Sequence, residues 1–407
     1  MRTEAELETW LSTAVDHERA GTFRDIRIER VRSFLGLLPP PPAPCTIGGT
    51  KGKGSTVRLL EAAIGVHGYA TLAFTSPHVH SVRERWRING EPAAMAQLVP
   101  VALEIAAIES RSGMQLTYFE RTAAMAVLLA VAIRDCFLLW EVGLGGRLDC
   151  ANALDCRLAI MTHLSHDHRE ILGPDLRAIA GEKVPIARAG RPLLIAPQSA
   201  AGAVAFTQAL AQQFPTGLTP TWVTRHGQSF TLALLGEHQQ DNASTALAAA
   251  ALIVPDFDED RARRGMATAT LAARCQLVTV GARRLLIDGA HNGPSIAATL
   301  AVAESQLRAP WRLVLGTATD KEIDEIAAVM PPGIEIIRCG YDSPRARGPQ
   351  QWPAVLMATP WCADINAAIA HLVTLDEADV CITGSFYLAA EALRAVHADT
   401  DFERHRC

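Results

Sequence analysis

The stretch Gly49-Thr50-Lys51-Gly52-Lys53-Gly54-Ser55 decides the fold of this chain. It follows a strand-like segment, residues 45–47, and precedes residues 55–67, whose apolar side chains recur at helical spacing. Glycines let backbone N–H groups come close to phosphate oxygens, and the N-terminus of the following helix adds partial positive charge. Lys53 can reach the terminal phosphates of a nucleotide as a point charge. A strand, a glycine loop and a helix in this order predict a phosphate site formed by residues 49–55.

Outward from this loop, strand-like and helix-like segments alternate along the chain. Further strand candidates are residues 69–74, 137–142 and 158–162, and helix candidates are residues 1–38, 121–134 and 175–187. Such alternation predicts an α/β fold with a doubly wound, mostly parallel sheet. The first helical segment must end before the four prolines at 39–42, which no helix interior accommodates.

A second alternation begins near residue 276. Its strand candidates are residues 285–287, 312–315, 334–338 and 380–383, separated by helix candidates such as 294–306 and 365–371. We therefore place a domain boundary in the irregular stretch around residues 272–276. The predicted domains are residues 1–273, which carry the phosphate loop, and residues 274–407, a smaller Rossmann-like α/β unit.

Composition argues against several classes of protein. The net charge of −5 gives no reason to expect nucleic acid or an anionic membrane surface as a partner. The most apolar stretch, residues 125–139, contains Arg134 and Asp135 and is too short to span a bilayer. The nine cysteines include no Cys-x-x-Cys pair, and the polar start does not resemble a signal peptide. We expect a reduced, monomeric, cytoplasmic enzyme with small-molecule partners.

The phosphate loop departs from the ordinary Walker pattern, because Gly54 separates Lys53 from Ser55. This Gly-Lys-Gly-Ser variant resembles the phosphate loop of the folylpolyglutamate synthase/dihydrofolate synthase family, part of the Mur ligase superfamily. Other motifs resemble that family in the same order along the chain: residues 26–31, 75–78, 84–90, 118–120, 141–149, 167–168, 172–173, 179–183, 236–242, 288–292, 320–321 and 384–385. So many motifs in the family's order agree by chance far more rarely than a lone glycine pattern does.

The resemblance implies a Mur ligase-like fold and an ATP- and Mg²⁺-dependent amide ligase. Such an enzyme phosphorylates a substrate carboxylate, and an amino group then attacks the acyl phosphate. The expected acceptor is pterin-like, and the expected amino acid is glutamate. Catalysis of this kind must bring anions together and stabilise a charged phosphoryl transition state.

The same resemblance assigns roles to individual residues. The implied catalytic residues are Lys53, Lys183 and His291. The implied nucleotide contacts are Gly49, Thr50, Lys51, Gly52, Lys53, Gly54, Ser55, Asn242, Arg274 and Asp288. The implied metal ligands are Ser76, Glu141 and His168, and the implied substrate contacts are His78, Arg85, Phe119, Glu120, Asp149, Asn152 and Ser385. Lys183 further resembles the lysine that is carbamylated in this superfamily. A carbamate can hold magnesium, whereas a plain lysine cannot.

Six of these residues also have a structural interpretation. Lys183 is alternatively an exposed helix lysine beside Glu182, Glu141 an ion-pair partner of Arg147, and His168 a buried structural histidine. Asp288-Gly289 also suits a turn, and His291 and Ser385 also suit helix caps.

Neither a dinucleotide site nor a zinc site is expected from the glycine and histidine patterns of the chain. The run Gly143-Leu144-Gly145-Gly146 lacks the third glycine of the dinucleotide-binding fingerprint, so a Rossmann cofactor site is not expected. His163, His166 and His168 have no partner cysteines and no second histidine pair at helical distance, so a zinc site is not expected either.

The chain departs from the family pattern at four places. Lys51 replaces asparagine, Ala151 replaces threonine, residues 271–273 replace Trp-Pro-Gly before Arg274, and Gly293 replaces proline. These changes leave open whether the acceptor is a folate or another carboxylate in a specialised pathway. A P-loop kinase or ATPase is the alternative from another class, and it would not require Lys183. A non-catalytic relative is a further alternative, against which the retained Lys53, Glu141, His168 and Lys183 count.

Overall fold

The structure is a computed structural model that describes residues 1–17, 27–225 and 227–404, with side chains described as far as residue 396. Residues 18–26 of the predicted N-terminal helical segment, and with them Ile26 of the 26–31 motif, lie outside the described residues. The chain divides into two compact units, Met1–Leu232 with Gln239–Ala269, and Ala233–His238 with Thr270–Cys407. The domain limits expected from the sequence, 1–273 and 274–407, stay a prediction.

The first unit is built on an eight-stranded sheet with the order β4-β3-β2-β5-β1-β6-β7-β8. Its strands are β1 (Cys45–Gly48), β2 (Thr71–Phe74), β3 (Trp86–Ile88), β4 (Glu91–Pro92), β5 (Phe137–Glu141), β6 (Leu158–Met161), β7 (Leu193–Ile195) and β8 (Thr221–Trp222). Its helices are α1 (Glu4–Ser12), α2 (Ile28–Leu35), α3 (Lys53–Gly65), α4 (Met95–Ser112), α5 (Tyr118–Ala132), α6 (Arg169–Leu172), α7 (Leu176–Lys183), α8 (Ala200–Gln213), α9 (His238–Ile253) and α10 (Glu259–Ala267).

The central strands of this sheet are parallel and fully buried. β1 lies between β5 and β6, and every residue of these three strands is buried. Ile47 pairs with Glu141 and Gly48 pairs with Met161, so the three strands end side by side. The loops that follow them therefore meet at one edge of the sheet, where α/β folds bind ligands.

One edge of the sheet is antiparallel, unlike the mostly parallel remainder. β3 pairs antiparallel with β2 and with β4. The β3–β4 turn contains Asn89-Gly90 with φ of 53° and 88°, the left-handed pair that a tight hairpin requires.

The second unit is built on a six-stranded sheet with the order β13-β12-β11-β14-β10-β9. Its strands are β9 (Gln276–Val280), β10 (Arg283–Ile287), β11 (Arg312–Leu315), β12 (Glu335–Cys339), β13 (Trp361–Cys362) and β14 (Val380–Thr383). Its helices are α11 (Gly293–Gln306), α12 (Ile323–Ala328), α13 (Ala354–Met357), α14 (Ile365–Val373) and α15 (Phe386–Arg404). All pairs are parallel except β9 with β10, which is a hairpin.

These sheets confirm the predicted α/β class with parallel-dominated sheets. Two predicted helices differ from the structure. The 175–187 segment is α-helical only to Lys183 and continues as the 3-10 turn Val184–Ile186, because Pro185 has no N–H to donate. The 1–38 segment is not one helix, since α1 ends at Ser12 and α2 starts at Ile28.

The structure also bears on the cysteines and on membrane-spanning segments. Cys45, Cys136, Cys150, Cys156, Cys275, Cys339, Cys362 and Cys381 are all buried and free. Over the described residues, no helix is both long enough and apolar enough to cross a membrane.

A buried ion-pair cluster fastens helix α3, which carries the phosphate loop, to the antiparallel edge. Glu61 accepts hydrogen bonds from Arg87 Nε (3.0 Å), from Arg58 Nη1 (3.2 Å) and from the Gly90 backbone N–H (3.1 Å). The side chains of Glu61 and Arg87 are 1% and 8% exposed. Removing one partner of such a pair leaves the other charge buried without compensation.

We therefore expect Glu61→Ala to lower the free energy of unfolding by about 3–5 kcal/mol, measured by urea denaturation. The matched control is Glu104→Ala, which breaks the exposed Arg111–Glu104 pair (65% and 53% exposed) and should cost less than about 1 kcal/mol. Equal losses for the two variants would contradict an anchoring role for Glu61.

Candidate active site

The phosphate loop turns sharply at two glycines where a side chain has no room. Gly49 has φ of 139°, and a Cβ there would lie 2.0 Å from Thr162 Oγ1. Gly52 has φ of 87°, and a Cβ there would lie 2.2 Å from Asn242 Oδ1. Glycine is required at both positions by the backbone angle and by the close neighbour.

The loop after β6 is attached to the phosphate loop by backbone contacts. The N–H groups of Thr50 and Lys51 both donate to the His163 carbonyl, at 2.9 Å and 3.1 Å. The Thr50 hydroxyl donates to the Ser165 carbonyl at 3.1 Å. Lys51 then forms an ion pair with Asp167, with Nζ 3.4 Å from Oδ2.

Two lysine amines converge on the Gly49 carbonyl. Lys53 Nζ lies 3.4 Å from the Gly49 oxygen and 3.5 Å from the Thr50 oxygen. Lys183 Nζ donates to the same Gly49 oxygen at 3.0 Å. The predicted catalytic lysines of α3 and α7 are therefore neighbours in space, although 130 residues separate them in sequence (183 minus 53).

Lys183 is the buried member of this pair, with a residue exposure of 3%. Burial and, to a smaller extent, the positive charge of Lys53 together lower the pKa of its amine to about 7, against opposing effects of Asp167, Asp149 and Glu182. The alternative that Lys183 is an exposed helix lysine is wrong.

Glu141 lies at the end of β5, with the residue only 4% exposed. Its Oε2 accepts a hydrogen bond from the Ser76 backbone N–H at 3.2 Å. Arg147, the proposed structural partner of Glu141, instead pairs with Glu182 at 2.9 Å. Two of the predicted metal ligands, Ser76 and Glu141, are thus direct neighbours.

His168 has a side chain that is 31% exposed, so the alternative of a buried structural histidine is wrong. Its φ of 48° is in the left-handed region, at the turn that leads into α6. His163, which shares the zinc alternative, has Nδ1 3.5 Å from the Pro197 carbonyl oxygen. Over the described residues, no three His, Cys, Asp or Glu side chains lie close enough to hold a metal ion.

Asp149 organises the glycine-rich loop after β5. Its Oδ2 accepts from the N–H groups of Gly143 (3.0 Å) and Leu144 (3.3 Å), and its Oδ1 accepts from Ala151 N–H (2.9 Å). Burial raises the pKa of Asp149 to about 6, opposed by these hydrogen bonds and by the charge of Lys53. Asp149 is therefore within electrostatic range of the phosphate loop.

Comparison with known proteins gives this arrangement a family. Residues 273–386 match the Mur ligase, glutamate ligase domain. Over 416 aligned residues the chain is 31% identical to the dihydrofolate synthase/folylpolyglutamate synthase of Escherichia coli strain K12, and the match covers 96% of each protein.

The chain belongs to the dihydrofolate synthase/folylpolyglutamate synthase family. It is an ATP-dependent ligase.

Solved structures agree with this assignment. The structure of E. coli FolC in complex with DHPP and ADP superposes with a TM-score of 0.82 at 28% identity, covering 97% of this chain and 98% of that one. A bifunctional folylpolyglutamate synthase/dihydrofolate synthase with Mn, AMPPNP and L-glutamate bound gives 0.82 at 26% identity, with the same coverage. The expected Mur ligase-like fold is confirmed.

Several residues that the family resemblance assigned to the substrate are held by internal contacts. The Glu120 carboxylate accepts hydrogen bonds from Nε and Nη2 of Arg30, the shortest being 2.7 Å. Glu120 also forms a capping box with Thr117 at the start of helix α5. Asn152 Nδ2 donates to the Arg147 carbonyl at 2.8 Å. Both side chains thus have partners within the first unit, and their direct contact with substrate stays a prediction.

The aromatic and cationic members of the predicted acceptor site are also positioned by neighbours. Phe119 lies against Phe74, with ring centroids 5.7 Å apart, and a Cβ at Gly143 would meet its ring at 2.8 Å. Arg85 Nε donates to His78 Nδ1 at 3.0 Å, and its guanidinium lies 5.1 Å from the centroid of the Tyr118 ring.

The predicted residues of the second unit cluster at the carboxyl ends of β10 and β14. Asp288 is buried and accepts from Cys275 N–H (2.7 Å), Ala290 N–H (2.8 Å) and Thr299 Oγ1 (2.8 Å). The cap of α11 is Asn292, so the alternative of His291 as the helix cap is wrong. Ser385 accepts from Tyr387 N–H at 3.1 Å, as a turn residue before α15 does.

Sequence reasoning missed two residues of this site. Asp167 was noted only as part of a motif, yet it pairs with Lys51. The amine of Lys51 pairs with Asp167, and its contact with the nucleotide phosphates stays a prediction. Arg30 was noted only within the 26–31 motif, yet it pairs with buried Glu120. The signal in each case was an unmatched charge within a motif, which does not reveal its partner across 116 and 90 residues.

We expect Gly52→Ala to lower ATP turnover by roughly 100-fold, because the new methyl group must displace Asn242 and distort the phosphate loop. Gly68→Ala is the matched control, since Gly68 has nearly the same φ (86°) but no atom within 4 Å of the added Cβ. Both variants should lose about 1 kcal/mol of stability from backbone strain. Steady-state turnover of Gly52→Ala equal to that of Gly68→Ala would contradict the assigned contact with Asn242.

Proposed function

We propose that this chain forms an amide bond between an amino acid, glutamate, and a carboxylate acceptor by way of an acyl phosphate. The observation that supports the proposal best is the convergence of Lys53 and buried Lys183 on Gly49 of the phosphate loop. Phosphoryl transfer alone needs the loop and Lys53. A second, buried lysine with a pKa near 7 at the same carbonyl is what a ligase of this superfamily would use as a carbamate.

The first step transfers the γ-phosphoryl group of ATP to the acceptor. A carboxylate oxygen attacks the γ-phosphorus, the bond from phosphorus to the β–γ bridging oxygen breaks, and ADP leaves. In this proposal the amine of Lys53 and the partial positive charge at the N-terminus of α3 stabilise the negative charge of the transferring group. Asn242, which contacts the loop at Gly52, and Arg274 are the further nucleotide contacts in this proposal.

The second step forms the amide. The amino nitrogen attacks the carbonyl carbon of the acyl phosphate, the carbon–oxygen bond to phosphate breaks, and inorganic phosphate leaves. The amine must also lose a proton. His291 is suited to accept it, because its Nδ1 lies 3.0 Å from the Gly289 carbonyl, an acceptor, so the ring proton belongs on Nδ1 and Nε2 is left as a base.

The residues near the phosphate loop fit Mg²⁺. Magnesium prefers oxygen ligands and is held in nucleotide sites by one or two carboxylates together with substrate phosphates. Glu141 supplies a buried carboxylate and Ser76 a neighbouring hydroxyl, with His168 as the further ligand that the family resemblance implies. A carbamate on Lys183 would add an anionic oxygen ligand. Bound magnesium would neutralise charge on the transferring phosphoryl group.

The nature of the substrates is proposed from the relatives. One solved relative binds DHPP and ADP, and another binds Mn, AMPPNP and L-glutamate. We propose a pterin-like carboxylate acceptor and glutamate for this chain. The second candidate is the same reaction on a non-folate carboxylate, which Ala151 favours, since it stands beside Asp149 in the predicted acceptor site in place of the family's threonine.

The product decides between these candidates. Purified protein is incubated with ATP, Mg²⁺, a panel of folates and other carboxylates, and a panel of amino acids, and products are identified by mass spectrometry. The proposal predicts an ATP-dependent product whose mass is that of acceptor plus amino acid minus water. ADP release without any amide product across the panels would favour a kinase or ATPase.

Lys183→Ala should be nearly inactive in this assay, because it removes the carbamate site. Short carboxylic acids in the medium should partly restore activity by occupying the vacated position.

Only the neutral amine reacts with CO₂. Bicarbonate-dependent activation of the wild type should therefore be greater above pH 7 than below it, since the pKa of Lys183 is about 7. Full activity of Lys183→Ala would contradict the carbamate. The control Arg188→Ala changes a neighbouring cation that bonds backbone carbonyls and should retain bicarbonate dependence.

A further inference from the structure

Hydrogen bonds of the two flanking residues fix the backbone position of Arg274. Its neighbours Ala273 and Cys275 have φ of 54° and 46°, left-handed values that are uncommon outside glycine. The Ala273 carbonyl accepts from Gly289 N–H at 2.9 Å, and Cys275 N–H donates to Asp288 Oδ2 at 2.7 Å. The backbone of Arg274 is therefore fixed to the Asp288-Gly289 turn.

The guanidinium of Arg274 is oriented by an aromatic ring. Its Cζ lies 4.5 Å from the centroid of the Phe386 ring, within the range of a cation–π contact. Over the part of the chain that the structure describes, this guanidinium forms no side-chain hydrogen bond or ion pair. Stacking uses the face of the guanidinium and leaves its N–H donors directed outward in the plane of the group.

Phe386 occupies its position because Gly289 has no side chain. A Cβ on Gly289 would lie 2.5 Å from Cδ1 and Cε1 of the Phe386 ring. The same ring lies 6.0 Å from the His291 ring, centroid to centroid. One aromatic side chain thus contacts Arg274 and the loop that carries Asp288 and His291.

We infer that Phe386 is a positioning residue that orients the guanidinium of Arg274 to bind a phosphate oxygen of the nucleotide. The inference rests on the proposed function, in which Arg274 is a nucleotide contact. An arginine with unpaired donors in a fixed plane recognises phosphate by a forked pair of hydrogen bonds, and it loses little entropy on binding when its orientation is already set.

The test is a double-mutant cycle on the KM for ATP. Phe386→Leu removes the ring and keeps an apolar side chain, and it should raise the KM for ATP about 2- to 30-fold with little change in kcat. Phe386→Tyr retains an aromatic face of the same ring size and should keep the wild-type KM. In an Arg274→Met background, Phe386→Leu should have no further effect, because its route of action is already removed.

A matched control is provided by a second arginine stack in the chain. Arg263 lies 4.3 Å from the centroid of Phe230, in the first unit, and Phe230→Leu should leave the KM for ATP unchanged. Thermal unfolding of each variant separates lost stability from lost binding.

Two outcomes would overturn the inference. One is a KM unchanged by Phe386→Leu while Arg274→Met raises it, which leaves the nucleotide role of Arg274 intact. The other is an equal effect of Phe386→Leu with and without Arg274, which would indicate a general structural role for the ring. If Arg274→Met itself leaves the KM for ATP unchanged, the proposed role of Arg274 fails and this inference fails with it.

Discussion

The carbonyl of Gly49 is the point at which the predicted catalytic lysines of the first unit meet. Gly49 directly follows β1 and has a positive φ that favours glycine. It lies so close to Thr162 that a side chain would not fit. The amines of Lys53 and Lys183 both approach its oxygen. Because parallel strands β5, β1 and β6 end side by side, the loops that carry Glu141, the phosphate site and His168 share one edge.

Burial of Lys183 changes the charge state of the amine at that contact. An amine in water has a pKa near 10.5, and at this site it falls to about 7 because the charged form loses hydration and faces Lys53. Such an amine is substantially neutral in the physiological range. Burial alone would be unfavourable for a lysine, so its position on a carbonyl of the phosphate loop suggests function more than stability.

Much of the fold follows from local sequence signals. The β1 strand and α3 begin and end within two residues of their predicted limits, because apolar periodicity and glycine content are local properties. The hairpin of β3 and β4 was not predicted, although Asn89-Gly90 signals such a turn, because its strands have only 3 and 2 residues. The end of α7 at Lys183 follows from Pro185, a local signal two residues further along the chain.

The candidate site was predictable to a smaller extent. Gly49 and Gly52 could be predicted from the loop itself, since the backbone angles and close neighbours there require glycine. Lys53 could be predicted as a phosphate contact from its place in the glycine-rich motif. The meeting of Lys183 with Gly49 could be expected only through family resemblance, because 134 residues separate the two. The pairings of Lys51 with Asp167 and of Glu120 with Arg30 depend on tertiary packing and have no local sign. Charge in a motif shows that a partner is needed, and the fold selects which one.

The acyl phosphate is the central claim, and isotope transfer tests it directly. An acceptor labelled with oxygen-18 in both carboxylate oxygens is converted with ATP and amino acid, and inorganic phosphate is examined by mass spectrometry. Formation and attack of an acyl phosphate predicts one labelled oxygen in phosphate for each amide formed. Unlabelled phosphate, or label found in AMP instead, would contradict the mechanism.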